Sequence, residues 1–330
     1  MSDLTTETLS YIQAVNRALR WSLESRDDTV IFGEDVAVPG GPFGATKNLH
    51  RDFGQARIFD TPISEAAFLG MALGAAMTGL RPIAEIMYAD FLFVAMDQIV
   101  NQIANARYAS NGRWTAPLVV RTQQGYSPGS CAQHSRSIEA YVAHTPGIRL
   151  AAPSNANDAY QMLRAAAIVS DDPVVVTEAR MLYPIKGAVD IAADVEAIGG
   201  ARVVREGTYA TIVTWSRMVG ASLQAAETLE AEGVSVEVVD LRWLAPLDFA
   251  TVRASVAKTG RLVIAHEAVL TAGFGAEIAA RAAEQCFGEL RAPVIRVAAP
   301  DVPVPAAPSL QSAVIPGADQ VADAIRHLSM

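Results

Sequence analysis

One alternation, broken once and then restarted, constrains this chain more than any other feature. Short β-branched runs are separated by amphipathic or Ala-rich stretches of helical length. Such alternation gives parallel sheets covered by helices on both faces. The fold class expected is α/β, with two doubly wound domains. In the first half, strands are expected at 29–32, 58–59, 82–87, 118–121, 148–151 and 174–177. Helices are expected at 10–26, 65–78, 93–110, 137–143 and 157–169, with Asn155-Ala-Asn-Asp as a helix entrance. Pro184, Gly187, Gly199 and Gly200 then interrupt the pattern, and Asp190, Asp194 and Glu196 hydrate the break. Beyond it, new strands are expected at 201–204, 210–215, 234–239, 262–265 and 294–297, and helices at 219–232, 249–258, 276–286 and 318–327. The division is a first domain over 1–188, a linker over 189–200 and a second domain over 201–330. A length of 330 residues leaves room for two cores. Residues 299–308 are too rich in proline for a strand interior and read as extended surface chain.

Charge and polarity exclude several classes. The net charge of −9 speaks against a nucleic-acid partner, and no apolar run approaches the length that spans a membrane. The start, Met1-Ser-Asp-Leu-Thr-Thr-Glu7, has neither the basic region nor the apolar core of a signal peptide. Cys131 and Cys286 lie far apart, with no metal or redox spacing. A cytoplasmic protein is expected.

The residues that could carry chemistry are few. Thr61-Pro-Ile-Ser-Glu65 precedes a helix of Ala, Gly, Leu and Met, with Ser64 as its N-cap and Gly79 as its stop. Glu65 in the first turn either complements the helix dipole or acts as a proton-exchanging group. Ile63, Phe68, Met87 and Phe91 are expected to surround it with apolar surface, which would raise its pKa. The Gly/Ser/Pro-rich loop after the 118–121 strand ends on His134, either an acid–base group or the start of a helix. Gly273-Phe-Gly275 resembles part of a dinucleotide fingerprint, but Ile278 stands where its third glycine belongs. Close packing of helix on sheet is the alternative there. The amides of Gln98, Asn101, Gln102 and Asn105 along one helix suit either a solvated face or a subunit interface.

Taken in order, several segments resemble the beta subunits of thiamine-diphosphate-dependent 2-oxo acid dehydrogenases. They are Gly33-Glu-Asp-Val36, Phe59-Asp-Thr-Pro-Ile-Ser-Glu65, Gly79-Leu-Arg-Pro82, Ala89-Asp-Phe91, Asp97-Gln-Ile99 and Gln133-His-Ser135. His144-Thr-Pro-Gly147, Asp172-Pro-Val174, His266-Glu267, Gly273-Phe-Gly-Ala-Glu-Ile278 and Asp301-Val-Pro-Val-Pro305 continue the match over nearly the whole chain. The resemblance implies a pyrimidine-binding domain followed by a transketolase-type C-terminal domain. It implies thiamine diphosphate shared with an alpha subunit in an alpha-two beta-two heterotetramer, with magnesium held by the alpha chain. A dihydrolipoyl acyltransferase core would be the further partner, and pyruvate or a branched-chain 2-oxo acid the substrate. Under it Glu65 matches the glutamate that bonds the N1′ nitrogen of the aminopyrimidine, and Met87 and Phe91 line that ring. Glu34 matches an acid near the cofactor, and His134 the histidine that handles intermediates and transfer to lipoamide. A potassium site maps near Leu118, Ala167, Ile168 and Asp172, although this chain carries one extra residue before Pro173. Arg136 stands where Gln is usual after His-Ser. The acetoin-cleaving members use the same machinery and form the near alternative. A nicotinamide-dependent oxidoreductase built on Gly273-Phe-Gly275 is the alternative from another class.

Overall fold

The computed structural model describes residues 6–328, so Met1–Thr5 of the acidic start lie outside the described residues. Two compact units divide the chain. The first comprises residues up to 124 together with 141–198; the second comprises 125–140 together with 199 onward. The segment 125–140, which carries His134, therefore packs with the second unit although it lies within the first half of the sequence.

The first unit contains strands β1 (Thr6–Ser10), β2 (Thr29–Gly33), β3 (Ile58–Asp60), β4 (Arg81–Ile86), β5 (Val119–Gln124), β6 (Arg149–Ala151), β7 (Val174–Ala179) and β8 (Lys186–Asp190). Its helices are α1 (Tyr11–Ser25), α2 (Leu49–Phe53), α3 (Glu65–Met77), α4 (Ala106–Ala109), α5 (Glu139–Ala143, which begins in the second unit) and α6 (Ala156–Ile168). The main sheet runs β6-β7-β5-β4-β2-β3, with every one of these pairs parallel. Strands β2, β5 and β7 are buried along their whole length; β2 as far as Phe32 and the first half of β7 are β-branched or aromatic, whereas β5 also buries Arg121, Gln123 and Gln124. Helix α1 begins with a reciprocal cap: Ser10 Oγ accepts from the Gln13 N–H, and the Ser10 N–H donates to Gln13 Oε1 at 2.9 Å. Asn155 caps α6 by accepting from the Asp158 N–H at 2.9 Å.

Three expectations change. Part of the interrupted region forms β8, which pairs antiparallel with β1. Within β8 only Val189 is buried, so the segment lacks the apolar alternation that announces a strand. The helix expected at 93–110 is instead a 3₁₀ stretch (Ala89–Ala95), a π-helical stretch (Gln98–Ile103) and the single turn α4. Asn105 Nδ2 donates to the carbonyls of Val100 and Asn101, at 3.0 and 3.3 Å, so side-chain amides compete with the backbone there. Ser64 occupies the N-cap position of α3 without a side-chain cap bond; its carbonyl accepts from Ala67 and Phe68 instead.

The second unit contains β9 (Arg202–Arg205), β10 (Ala210–Thr214), β11 (Val236–Asp240), β12 (Trp243–Ala245), β13 (Leu262–Val269) and β14 (Ile295–Ala299). Its helices are α7 (Met218–Ala231), α8 (Phe249–Thr259), α9 (Phe274–Gln285), α10 (Pro308–Val314) and α11 (Ala318–His327). The sheet runs β14-β13-β10-β11-β9, parallel except for β9. Asp248 caps α8 and Gly260 closes it at φ +72°, a left-handed conformation that costs glycine little. Ile212, Val238, Val263, Leu229 and Ile325 are fully buried in the core that joins α7 and α11 to this sheet.

Candidate active site

Three neighbouring parallel strands of the first unit, β4, β2 and β3, end along one edge. Each delivers a residue of interest just past its carboxyl end, the place where open α/β sheets bind ligands. Gly33 ends β2 at φ +156°, and a Cβ there would lie 2.4 Å from the Glu85 carbonyl oxygen. Only glycine lets β2 pass so close to β4 and hand over directly to Glu34. Strand β3 leads through Thr61 to Glu65, the first residue of α3, and β4 leads to Met87 and Phe91.

Glu34 and Glu65 are both buried, 8% and 7% exposed. Burial first, and then the neighbouring charge of Glu65, raise the Glu34 carboxyl above its ordinary value. Glu34 Oε1 is moreover buried with no hydrogen-bond partner, an acceptor that the folded chain leaves unsatisfied. Past the end of β4 stands an aromatic wall: Tyr88 meets Phe91 and Phe43 edge to face, at 5.6 and 5.7 Å between ring centroids. The Arg180 guanidinium lies over the Tyr88 ring at 5.0 Å. Phe68 is buried in α3, but Ile63 is 84% exposed, so the apolar surround expected around Glu65 lacks that member. Sequence reasoning missed Tyr88, Phe43 and Arg180, because only the folded chain brings them together.

Beneath this edge lies a buried charge network. Arg121, fully buried on β5, bonds Glu85 on β4 at 2.6 Å and Glu178 on β7 at 2.8 and 3.0 Å. Gln123 donates to Glu85, and the Tyr183 hydroxyl donates to Glu178 at 2.7 Å. Burial opposes the Arg121 charge, yet Glu178 and Glu85 outweigh it and keep the guanidinium protonated. The sequence signal is an arginine that directly follows the apolar Leu118-Val-Val of a strand.

His134 belongs to the second unit, within the loop 125–140. The Gly125 N–H donates to the Arg136 carbonyl at 3.1 Å, closing the loop at its neck. Inside it, Ser130 Oγ bonds the Ser127 backbone and Ser135 Oγ, and Ser135 Oγ donates to the Cys131 carbonyl. The sequence left His266 unassigned; in the structure it is fully buried and stacked on Trp215 at 5.3 Å. A Cβ at Gly275 would lie 2.6 Å from the His266 ring, and one at Gly273 2.5 Å from the Val269 carbonyl oxygen. Packing against histidine and strand accounts for both glycines, not a dinucleotide.

The potassium-site positions are met by arginines. Arg81 donates to the Ala167 carbonyl at 3.1 Å, while Arg107 and Arg149 pair with Asp172. The Leu118 carbonyl accepts from the Val174 N–H.

Comparison with known proteins decides the family. Residues 7–186 match the transketolase pyrimidine-binding domain, and 199–321 the transketolase C-terminal domain. The pyruvate dehydrogenase E1 component subunit beta of Leifsonia xyli is 44% identical, over 97% of this chain and 94% of that protein. The 3-methyl-2-oxobutanoate dehydrogenase subunit beta of Mycobacterium tuberculosis is 41% identical over 99% of this chain and 94% of its own length. The 2-oxoisovalerate dehydrogenase subunit beta of Bacillus subtilis is 40% identical over 97% and 98%. This chain belongs to the 2-oxo acid dehydrogenase E1 beta-subunit family. A solved split-gene transketolase, described as an inactive beta4 tetramer, shares its fold at a TM-score of 0.79 and 24% identity, covering 97% of this chain and 98% of its own. The E1 beta family and its transketolase-type domains imply thiamine diphosphate as cofactor. The acceptor left open on Glu34, the adjoining acid Glu65 and the aromatic wall suit a flat heterocycle carrying ring nitrogens and an amine. Among the described residues no helix is long and apolar enough to cross a membrane.

Proposed function

We propose that this chain is the beta subunit of a heterotetrameric E1 component, which decarboxylates pyruvate or a branched-chain 2-oxo acid and passes the acyl group to lipoamide. The observation that carries this is the pair of buried acids, Glu34 and Glu65, at the carboxyl edge of β2 and β3, with one Glu34 oxygen left unpartnered. Thiamine diphosphate, when bound, supplies a carbon nucleophile and an electron sink for loss of carbon dioxide. In this reading Glu65 holds a proton at the N1′ nitrogen of the aminopyrimidine ring. Glu34 stands beside it as a second acid, and Met87 and Phe91 cover the ring and keep water from it. His134 moves protons during acyl transfer.

The functional division is a pyrimidine-binding domain over 1–188, a connector over 189–200 and a C-terminal domain over 201–330. Magnesium and the diphosphate fall to the alpha subunit: the family resemblance implies that the alpha chain carries the Gly-Asp-Gly and downstream Asn that bind them, and this sequence has no such motif. The exposed amides Asn101, Gln102 and Asn105 form part of the surface offered to partner chains. A dihydrolipoyl acyltransferase core completes the assembly, and the free thiols of Cys131 and Cys286 support a cytoplasmic setting. A potassium ion at Leu118, Ala167, Ile168 and Asp172 does not fit, since arginines already hold the Ala167 carbonyl and the Asp172 carboxylate.

The test is reconstitution. The pure chain should show no decarboxylation of any 2-oxo acid, and addition of its alpha chain should restore it, with a substrate panel separating pyruvate from branched-chain acids. Substantial thiamine-dependent turnover by the pure chain would refute the shared site.

A further inference from the structure

The loop that carries His134 does not hold itself in place. It leaves β5 after Gln124, and its neck, Gly125 with Arg136, rests on residues that arrive much later in the chain. Glu267, near the end of β13, reaches that neck with both carboxylate oxygens engaged. Oε1 accepts from the Tyr126 N–H at 2.9 Å, and Oε2 accepts from Arg217 Nε at 2.5 Å. The approach is close enough that a Cβ on Gly125, at φ +77°, would lie 2.6 Å from Glu267 Oε1. Glycine is required there by the clamp as well as by its backbone conformation.

Arg217 ties the same point from the other side. Its guanidinium lies over the Tyr126 ring at 5.1 Å and donates to the Pro316 carbonyl at 3.0 Å. Gln311 on α10 donates to the Ser127 carbonyl at 3.1 Å, one residue further into the loop. At the far end of the loop, Trp215 Nε1 donates to Glu139 Oε1 at 3.0 Å, with both groups buried. The Glu267 and Arg217 side chains are only 11% and 16% exposed, so their attraction is weakly screened by solvent. Every one of these tethers lies within the second unit.

We propose that Glu267 and Arg217 are positioning residues: they clamp the neck of the 125–136 loop and so hold His134 in register for acyl transfer, a role that rests on the reading of His134 given above. Neither residue touches the reacting atoms. They act by making the open loop costly, because opening would strip the Tyr126 N–H from Glu267 Oε1 and the Tyr126 ring from the Arg217 guanidinium, at a carboxylate that solvent reaches poorly.

The loop carries its own reporters. Cys131 is half-buried within it while Cys286 is fully buried in α9's C-cap, and Arg136 is exposed and the only lysine or arginine between 125 and 140. In the full-length chain, Glu267→Ala should raise the rate of Cys131 alkylation and of tryptic cleavage after Arg136 by about tenfold or more, the scale set by losing a charged hydrogen bond. Cys286 should stay protected. Glu267→Gln keeps an acceptor for the Tyr126 N–H and should recover part of the loss. In the tetramer reconstituted with the alpha chain, Glu267→Ala should slow lipoyl acylation by about tenfold and leave exchange of the cofactor C2 proton within twofold of wild type. Should Glu267→Ala fail to fold, Gly125→Ala displaces the same carboxylate and must give the same pattern.

Unchanged Cys131 and Arg136 reactivity would overturn the clamp. A loosened loop with normal acylation would overturn its positioning role, provided that His134→Ala abolishes acylation. If His134→Ala also acylates normally, the reading of His134 itself falls, and this proposal with it.

Discussion

The buried histidine of the second unit makes a sharp test of the packing described for it. Burial, and secondarily the nearby positive charge of Arg296, pull His266 down from 6.5 to about 4, against weak opposition from the Ala268 backbone. Its ring is stacked on Trp215 and neither nitrogen has a hydrogen-bond partner of good geometry. The folded form therefore holds the imidazole neutral, while the unfolded chain takes up a proton near 6.5. Between about pH 6.5 and pH 4 the unfolded state binds more protons, so stability falls as pH falls. This stability is complete above 6.5 and gone below about 4, and over the whole window the two pKa values correspond to about 3 kcal/mol. About 2 kcal/mol of it should be lost between pH 8 and pH 5. The comparison is with His266→Asn, which cannot titrate. Urea unfolding followed through tryptophan fluorescence should show the wild-type advantage over the variant shrinking by that amount across the interval. An NMR titration of the His266 ring gives the folded pKa directly. A constant difference between the two proteins, or a folded pKa at or above 6, would refute the reasoning.

Three further outcomes are expected. Glu65→Gln in the assembled tetramer should slow cofactor C2-proton exchange by about a hundredfold to ten-thousandfold, the usual contribution of a positioned acid–base group; wild-type exchange would reduce Glu65 to a helix-dipole residue. Arg121→Met leaves Glu85 and Glu178 buried without their cation and should cost about 3–5 kcal/mol, read as a lowered urea midpoint at unchanged slope. Gly33→Ala should prevent the close approach of β2 to the Glu85 carbonyl and, where the protein still folds, weaken thiamine diphosphate binding measured by calorimetry.

The sequence revealed much of this because central parallel strands carry their signal in themselves. β2, β5, β7, β10 and β11 are buried throughout, and each contains β-branched residues in a run or close together, even where a buried charge or amide interrupts or follows them as on β5. β1 and β8 were invisible for the opposite reason: they pair only with each other, alternate weakly and lie at the ends of their unit's sequence. The distorted helix around Asn105 was hidden because its cause is a side-chain amide reaching a carbonyl, which periodicity does not register. Glu65 could be found as an acid opening an apolar helix, and His134 as a histidine in a glycine-rich loop. Tyr88, Glu267 and Arg217 could not, since their partners are set by tertiary approach and not by spacing along the chain.

The seating of the 125–140 loop also sets an order of events during synthesis. The strands of the first unit can pair as they emerge, but Trp215, Arg217, Glu267 and Gln311 have not yet been made when the loop leaves the ribosome. At about 5–20 residues per second, the wait from Ser127 to Gln311 is roughly ten to forty seconds. Through that interval His134, Cys131 and Arg136 belong to a segment without those tethers, more open to proteases and oxidants than once the tethers have formed. The loop assigned to acyl transfer thus matures only after most of the chain has been made, and a nascent chain stalled before α10 would hold a formed first sheet and a loop without all its tethers.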